Sequence, residues 1–148
     1  MIKENLNFDK KNVYTLDSLP ANKDEKIIYI FRDTTKTSNG MWLIHEVLYI
    51  GLSIDAESRL NSSHNKIEPA KKLLKAGHFL TFTYCKFDSG VQEKTIRAIE
   101  NALICSNKPC LNEKNKDNYH IEEYGNIEIH CFGHRSTKLV KDIVFSKK

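Results

Sequence analysis

The sequence predicts an α/β chain of the α+β kind: a small three-stranded, mainly antiparallel sheet flanked by helices, with a C-terminal β-hairpin extension. Three observations carry that expectation. Short β-branched and aromatic runs stand at residues 26–31, 47–50 and 78–87, a composition suited to a pleated, half-buried surface. The apolar period changes to a helical one between and after them, most clearly at 91–105, where Ile96, Ile99, Ala102 and Leu103 form one stripe. Clusters of Gly, Asn, Asp and Ser separate these stretches, as turn residues do.

Taken in order, residues 1–25 read as a lead-in segment. Their first eleven residues are polar and charged, and the one semi-apolar stretch, 13–16, ends before Pro20. The run KIIYIF at 26–31 is a buried strand, and 32–40, rich in Thr, Ser, Asn and Gly, is a loop. A second strand at 47–50 ends at Gly51. From Ser53 the pattern is helical, with Ser53 or Asp55 as cap and Ala56 and Leu60 on one face. A further helix has Pro69 in its first turn, Ile67, Ala70, Leu73 and Leu74 on its apolar side and Gly77 beyond its end. Lys71, Lys72 and Lys75 face the other way. The third strand, 78–87, is broken by Asp88-Ser89-Gly90, and the long helix that follows is closed by Lys108-Pro109. Alternating residues at 120–124 and 127–132 flank Gly125-Asn126, a pair suited to a two-residue hairpin turn, while 136–145 fits helix or strand. The expected division is a lead-in (1–25), a catalytic core (26–115) and a C-terminal extension packed on it (116–148).

A chain of 148 residues is long enough to bury one core without covalent staples. No apolar run is long enough to span a bilayer, so a cytoplasmic location and no membrane partner are expected. The four cysteines, 85, 105, 110 and 131, form no Cys-x-x-Cys pair and are read as reduced. A net charge of +4 is compatible with a polyanionic partner without establishing one.

The chemistry-bearing residues are Tyr29 on the first strand, Tyr49 on the second, Arg59 on the helix after it and Glu100 on the long helix. Together they provide acid-base hydroxyls, a fixed cation and a metal-seeking carboxylate. Phosphodiester hydrolysis needs a deprotonated water, neutralisation of charge growing on the phosphate and help for the leaving oxygen.

The stretch LYIGLSIDAESRL at 48–60, with Arg59 eight residues after Gly51, resembles the second signature of the GIY-YIG nuclease family. Glu100-Asn101-Ala102-Leu103-Ile104, followed by Lys108-Pro109-Cys110-Leu111-Asn112, is similar to that family's metal-ligand helix and the turn behind it, and Ile27-Ile28-Tyr29 takes the place of Gly-Ile-Tyr. The resemblance covers residues 26–113. It implies a DNA endonuclease in which Glu100 binds one Mg²⁺ or Mn²⁺ ion, Arg59 grips the scissile phosphate, Tyr29 is the first choice for activating water and Tyr49 orients the water or the phosphate. His64 can share or replace the base role, and Asn112 ties down either the phosphate or the backbone of the site.

Three departures accompany the resemblance. Ile27 stands where the family has glycine, Leu52 stands where some members carry a lysine, and Tyr29 and Tyr49 are separated widely enough to make 33–45 an insertion, expected to be a substrate-contacting loop. The expected partner is double-stranded DNA, with Lys71, Lys72, Lys75 and Lys114 as candidate phosphate contacts and a homodimer left open. Each residue also has a plainer reading: aromatic packing for the tyrosines, helix ion pairs of Arg59 with Asp55 and of Glu100 with Arg97, an exposed position for His64, and a solvated face for the lysines. At the level of the whole chain the alternative is a catalytically inactive nucleic-acid-binding or scaffolding module of the same fold.

Overall fold

A computed structural model describes residues 1–8, 14–18, 26–54, 64–133 and 139–147. The architecture is α+β, with two three-stranded sheets. The first is antiparallel, built from β2 (Lys26–Lys36), β3 (Trp42–Ser53) and β4 (Phe79–Phe87), with β2 in the middle. The second joins the two ends of the chain: β1 (Ile2–Phe8) runs parallel to β5 (Ile127–Gly133), which pairs antiparallel with β6 (Asp142–Phe145). The helices are α1 (Ile67–Leu73), α2 (Glu93–Asn107) and the single turn α3 (Ile121–Tyr124).

Strand alternation gives the first sheet two buried faces. Ile28 and Ile30 of β2 join Ile50 and Leu52 of β3 under the α2 stripe Ile96, Ile99, Ala102 and Leu103, a cluster that continues into Leu6, Phe8, Ile127, Ile129 and Ile143 of the second sheet. Ile27, Tyr29 and Phe31 point the other way, into a second cluster with Leu48, Phe82, Tyr84 and the α1 residues Ile67 and Ala70. Burial on both sides explains why 27–31 is continuously apolar instead of alternating.

Five expectations need correction. The insertion at 33–45 is a longer hairpin instead of a loop: β2 continues to Lys36 and β3 begins at Trp42, with Thr34 opposite Ile44 and Lys36 opposite Trp42. Two adjacent threonines are good strand residues, and only the turn at 37–41 needs the positive φ of Gly40. Ser53, offered as a helix cap, is the buried last residue of β3. The lead-in contains β1, whose alternation of Ile2, Leu6 and Phe8 with polar residues is a strand signal. The expected hairpin about Gly125-Asn126 is replaced by a helical turn at Ile121–Tyr124, and the strand after it pairs with β1 and β6. Leu73, placed on the apolar side of α1, is 49% exposed.

The four cysteines are free thiols. Among the described residues no helix is long and apolar enough to cross a membrane.

Candidate functional site

The site forms along the outer edge of β3. After α2, Lys108 adopts the left-handed conformation and its amide bonds to the Ile104 carbonyl at 2.7 Å, ending the helix immediately before Pro109. The turn then runs back along the unpaired edge of β3. The Leu111 amide donates to the Leu48 carbonyl at 3.0 Å. The Asn112 side chain supplies the next two bonds of a strand, its Oδ1 accepting from the Ile50 amide at 2.9 Å and its Nδ2 donating to the Ile50 carbonyl at 2.8 Å. Asn112 is buried, so it is a positioning residue that satisfies an exposed sheet edge. Of its two expected roles, the structure supports holding the backbone.

That turn encloses a cavity of about 210 Å³ lined by Tyr49, Ile50, Lys66, Glu100, Ile104 and the segment from Asn112 to Asn115. Tyr49 and Glu100, from a strand and a helix that are distant in the chain, thus face one space. The guanidinium of Arg97 donates to Glu93 at 2.7 Å, an i,i+4 pair on the exposed side of α2. Lys66 has its ammonium 5.9 Å from the centre of the Tyr49 ring and 3.4 Å from Glu113. Lys114 lines the same cavity.

Tyr29 lies behind Tyr49, with ring centres 6.3 Å apart. Its position depends on Gly51, its cross-strand partner: a Cβ there would stand 2.5 Å from both Cζ and Oη of the phenol. The ring crosses the space that any other side chain would fill. The Tyr29 hydroxyl is 2.8 Å from His64 Nε2. His64 Nδ1 accepts the Lys66 backbone N–H at 3.0 Å, which leaves the proton of a neutral imidazole on Nε2. His64 therefore donates to the phenol oxygen, and in this tautomer it does not withdraw the Tyr29 proton.

The chain matches no protein-family model, no curated protein and no solved structure.

The sequence-predicted residues fall into three groups. Tyr49, Glu100, Asn112 and Lys114 meet at the cavity, while Tyr29 and His64 form a bonded pair beside it. Lys71 and Lys72 are exposed on α1 and Lys75 is exposed just beyond its end, Lys71 being 3.4 Å from Glu68. Arg59, with the helix expected around it, lies outside the described residues. Sequence reasoning missed Lys66 and the packing role of Gly51. Lys66 stands two residues beyond His64, and only the chain's return past Tyr49 reveals it. Among the described residues no three His, Cys, Asp or Glu side chains converge as a metal-ligand group; the carboxylates that line the cavity are Glu100 and Glu113.

Proposed function

We propose that this chain is a divalent-metal-dependent endonuclease of the GIY-YIG type that hydrolyses DNA phosphodiester bonds. The observation that carries this reading is the convergence of Tyr49 and Glu100 on one cavity with Lys66 and Lys114 at its wall. A phenol, a carboxylate and two ammonium groups are the functional groups that phosphoryl chemistry uses.

Glu100 is the residue that would hold the metal, which when bound would supply positive charge beside the phosphate and lower the pKa of water. Lys66 and Lys114 attract the phosphate into the cavity, and the resemblance assigns Arg59 to the scissile group. Tyr49 is half-buried and lines the cavity, whereas the Tyr29 ring is 1% exposed and its hydroxyl turns to His64. The water contact therefore goes to Tyr49, and the Tyr29–His64 pair positions and polarises the site behind it. This reverses the order of the two phenols expected from the sequence.

Plasmid nicking with Mg²⁺, with and without chelator, tests the activity. Glu100→Gln should abolish metal-dependent nicking while the protein still folds. Undiminished cleavage by that variant removes the metal assignment, and no cleavage by the parent chain under any divalent metal favours a binding module without turnover.

A further inference from the structure

The first sheet carries a second polar cluster, on the face opposite Tyr29. Arg32 of β2 stands directly across from Thr81 of β4, and its neighbour on the same face, Ile30, stands across from Thr83. Phe82 and Tyr84, between and after the two threonines, belong to the Tyr29 side, which fixes the threonines on the other. Arg32 is 1% exposed, and Thr81 and Thr83 are buried equally deeply. All three guanidinium nitrogens and both hydroxyls are without a hydrogen-bond partner among the described residues. The adjacent carboxylate, Asp33, is engaged elsewhere, 2.6 Å from His78 Nδ1.

A buried, uncompensated guanidinium is among the least favourable groups a fold can contain. Burial lowers the Arg32 pKa to about 10, which still leaves a cation at neutral pH. A methionine or leucine would fill comparable volume without that penalty. The missing partner is defined by what the cluster offers. Guanidinium is donor-only, and each threonine hydroxyl adds a further donor. The complement is a group with several acceptor oxygens and negative charge. Water supplies acceptors without charge. Burial excludes a phosphate carried in a polymer, which would need room for chain on both sides.

We propose that Arg32, Thr81 and Thr83 form a binding site for a small free tetrahedral oxyanion of the phosphate or sulfate type, separate from the nuclease cavity. The two sites share no residue, since the cavity is lined from the other strand edge and from α2. The anion is a structural ligand: it binds the folded chain alone and so stabilises it by mass action.

Thermal unfolding of the full chain in phosphate, in sulfate and in chloride at matched ionic strength tests this, alongside Arg32→Met. The parent chain should show a saturable rise in midpoint of about 5–10 °C at an anion concentration about a hundredfold above Kd, with phosphate and sulfate compared to identify the preferred ion. Arg32→Met should retain only the shallow, non-saturating response that excluded salts give any protein. Thr81→Val with Thr83→Val should weaken binding about tenfold, and Lys66→Ala with Lys114→Ala should leave the response intact, which separates this site from the cavity. If the parent and Arg32→Met respond identically, or if the lysine pair abolishes the response, the proposal fails. Should Arg32→Met not fold, titration calorimetry of the parent with phosphate decides: one saturable site lost in Arg32→Lys supports it, and no saturable heat overturns it.

Discussion

The contact between Gly51 and Tyr29 allows a quantitative prediction that does not depend on the proposed activity. In Gly51→Ala the new methyl would lie 2.5 Å from Cζ and Oη and 2.7 Å from Cε2 of Tyr29, inside any tolerable carbon contact. Either the ring rotates or the strands separate. Overpacking of this kind costs about 1–3 kcal/mol, and displacement of the hydroxyl from His64 Nε2, at 2.8 Å, adds about 1 kcal/mol. For a chain of this size that corresponds to a fall in Tm of roughly 4–16 °C. Urea denaturation of Gly51→Ala, Tyr29→Val and the double variant measures the coupling. With the ring removed, the alanine has nothing to strike and its effect should vanish or become slightly favourable, because alanine restricts the unfolded chain more than glycine does. An equal cost in both backgrounds would refute the steric explanation. The same Gly51→Ala substitution should also lower plasmid nicking by about tenfold or more if the Tyr29–His64 pair supports the site.

Further predictions follow from individual contacts. Tyr49→Phe should reduce the single-turnover nicking rate more than Tyr29→Phe, and the reverse order would return the water-activating role to Tyr29. Asn112→Ala leaves the Ile50 amide and carbonyl without their partners at 2.9 and 2.8 Å, so it should cost about 2–3 kcal/mol in chemical denaturation; a change below about 0.5 kcal/mol would mean that the edge of β3 is satisfied by other means. His130 Nδ1 lies 2.6 Å from Asp142, and this hydrogen bond, with Glu128 adding to the effect, raises the imidazole pKa above its ordinary value. Because the folded value exceeds the unfolded one, its contribution is complete below about pH 6.5 and disappears as pH rises through the folded value. His130→Gln should therefore remove part of the decline in Tm across that interval, and an unchanged pH profile would remove the assignment.

Much of the first sheet was legible because its signals are local. The continuous apolar run at Ile27–Phe31 and the helical stripe from Ile96 to Leu103 state both their secondary structure and their burial, since residues spaced by two or by about 3.6 share a face whatever the rest of the chain does. The positions of Tyr49 and Glu100 on a strand and a helix were equally readable. Their meeting at one cavity required the turn at Lys108 and the strand-like bonds from Asn112 to Ile50, contacts between residues far apart in sequence.

The sequence by itself determined the elements that have their own period and the set of groups available for chemistry. Tertiary structure alone decided the second sheet, because parallel pairing of β1 with β5 joins opposite ends of the chain and leaves no local trace. It also decided that the 33–45 insertion is a hairpin, that Tyr49 and not Tyr29 faces the cavity, and that Arg32 is enclosed beside two threonines. A side chain's chemistry is written in its residue type, but its partners, dielectric surroundings and access to solvent are properties of whatever the fold brings against it.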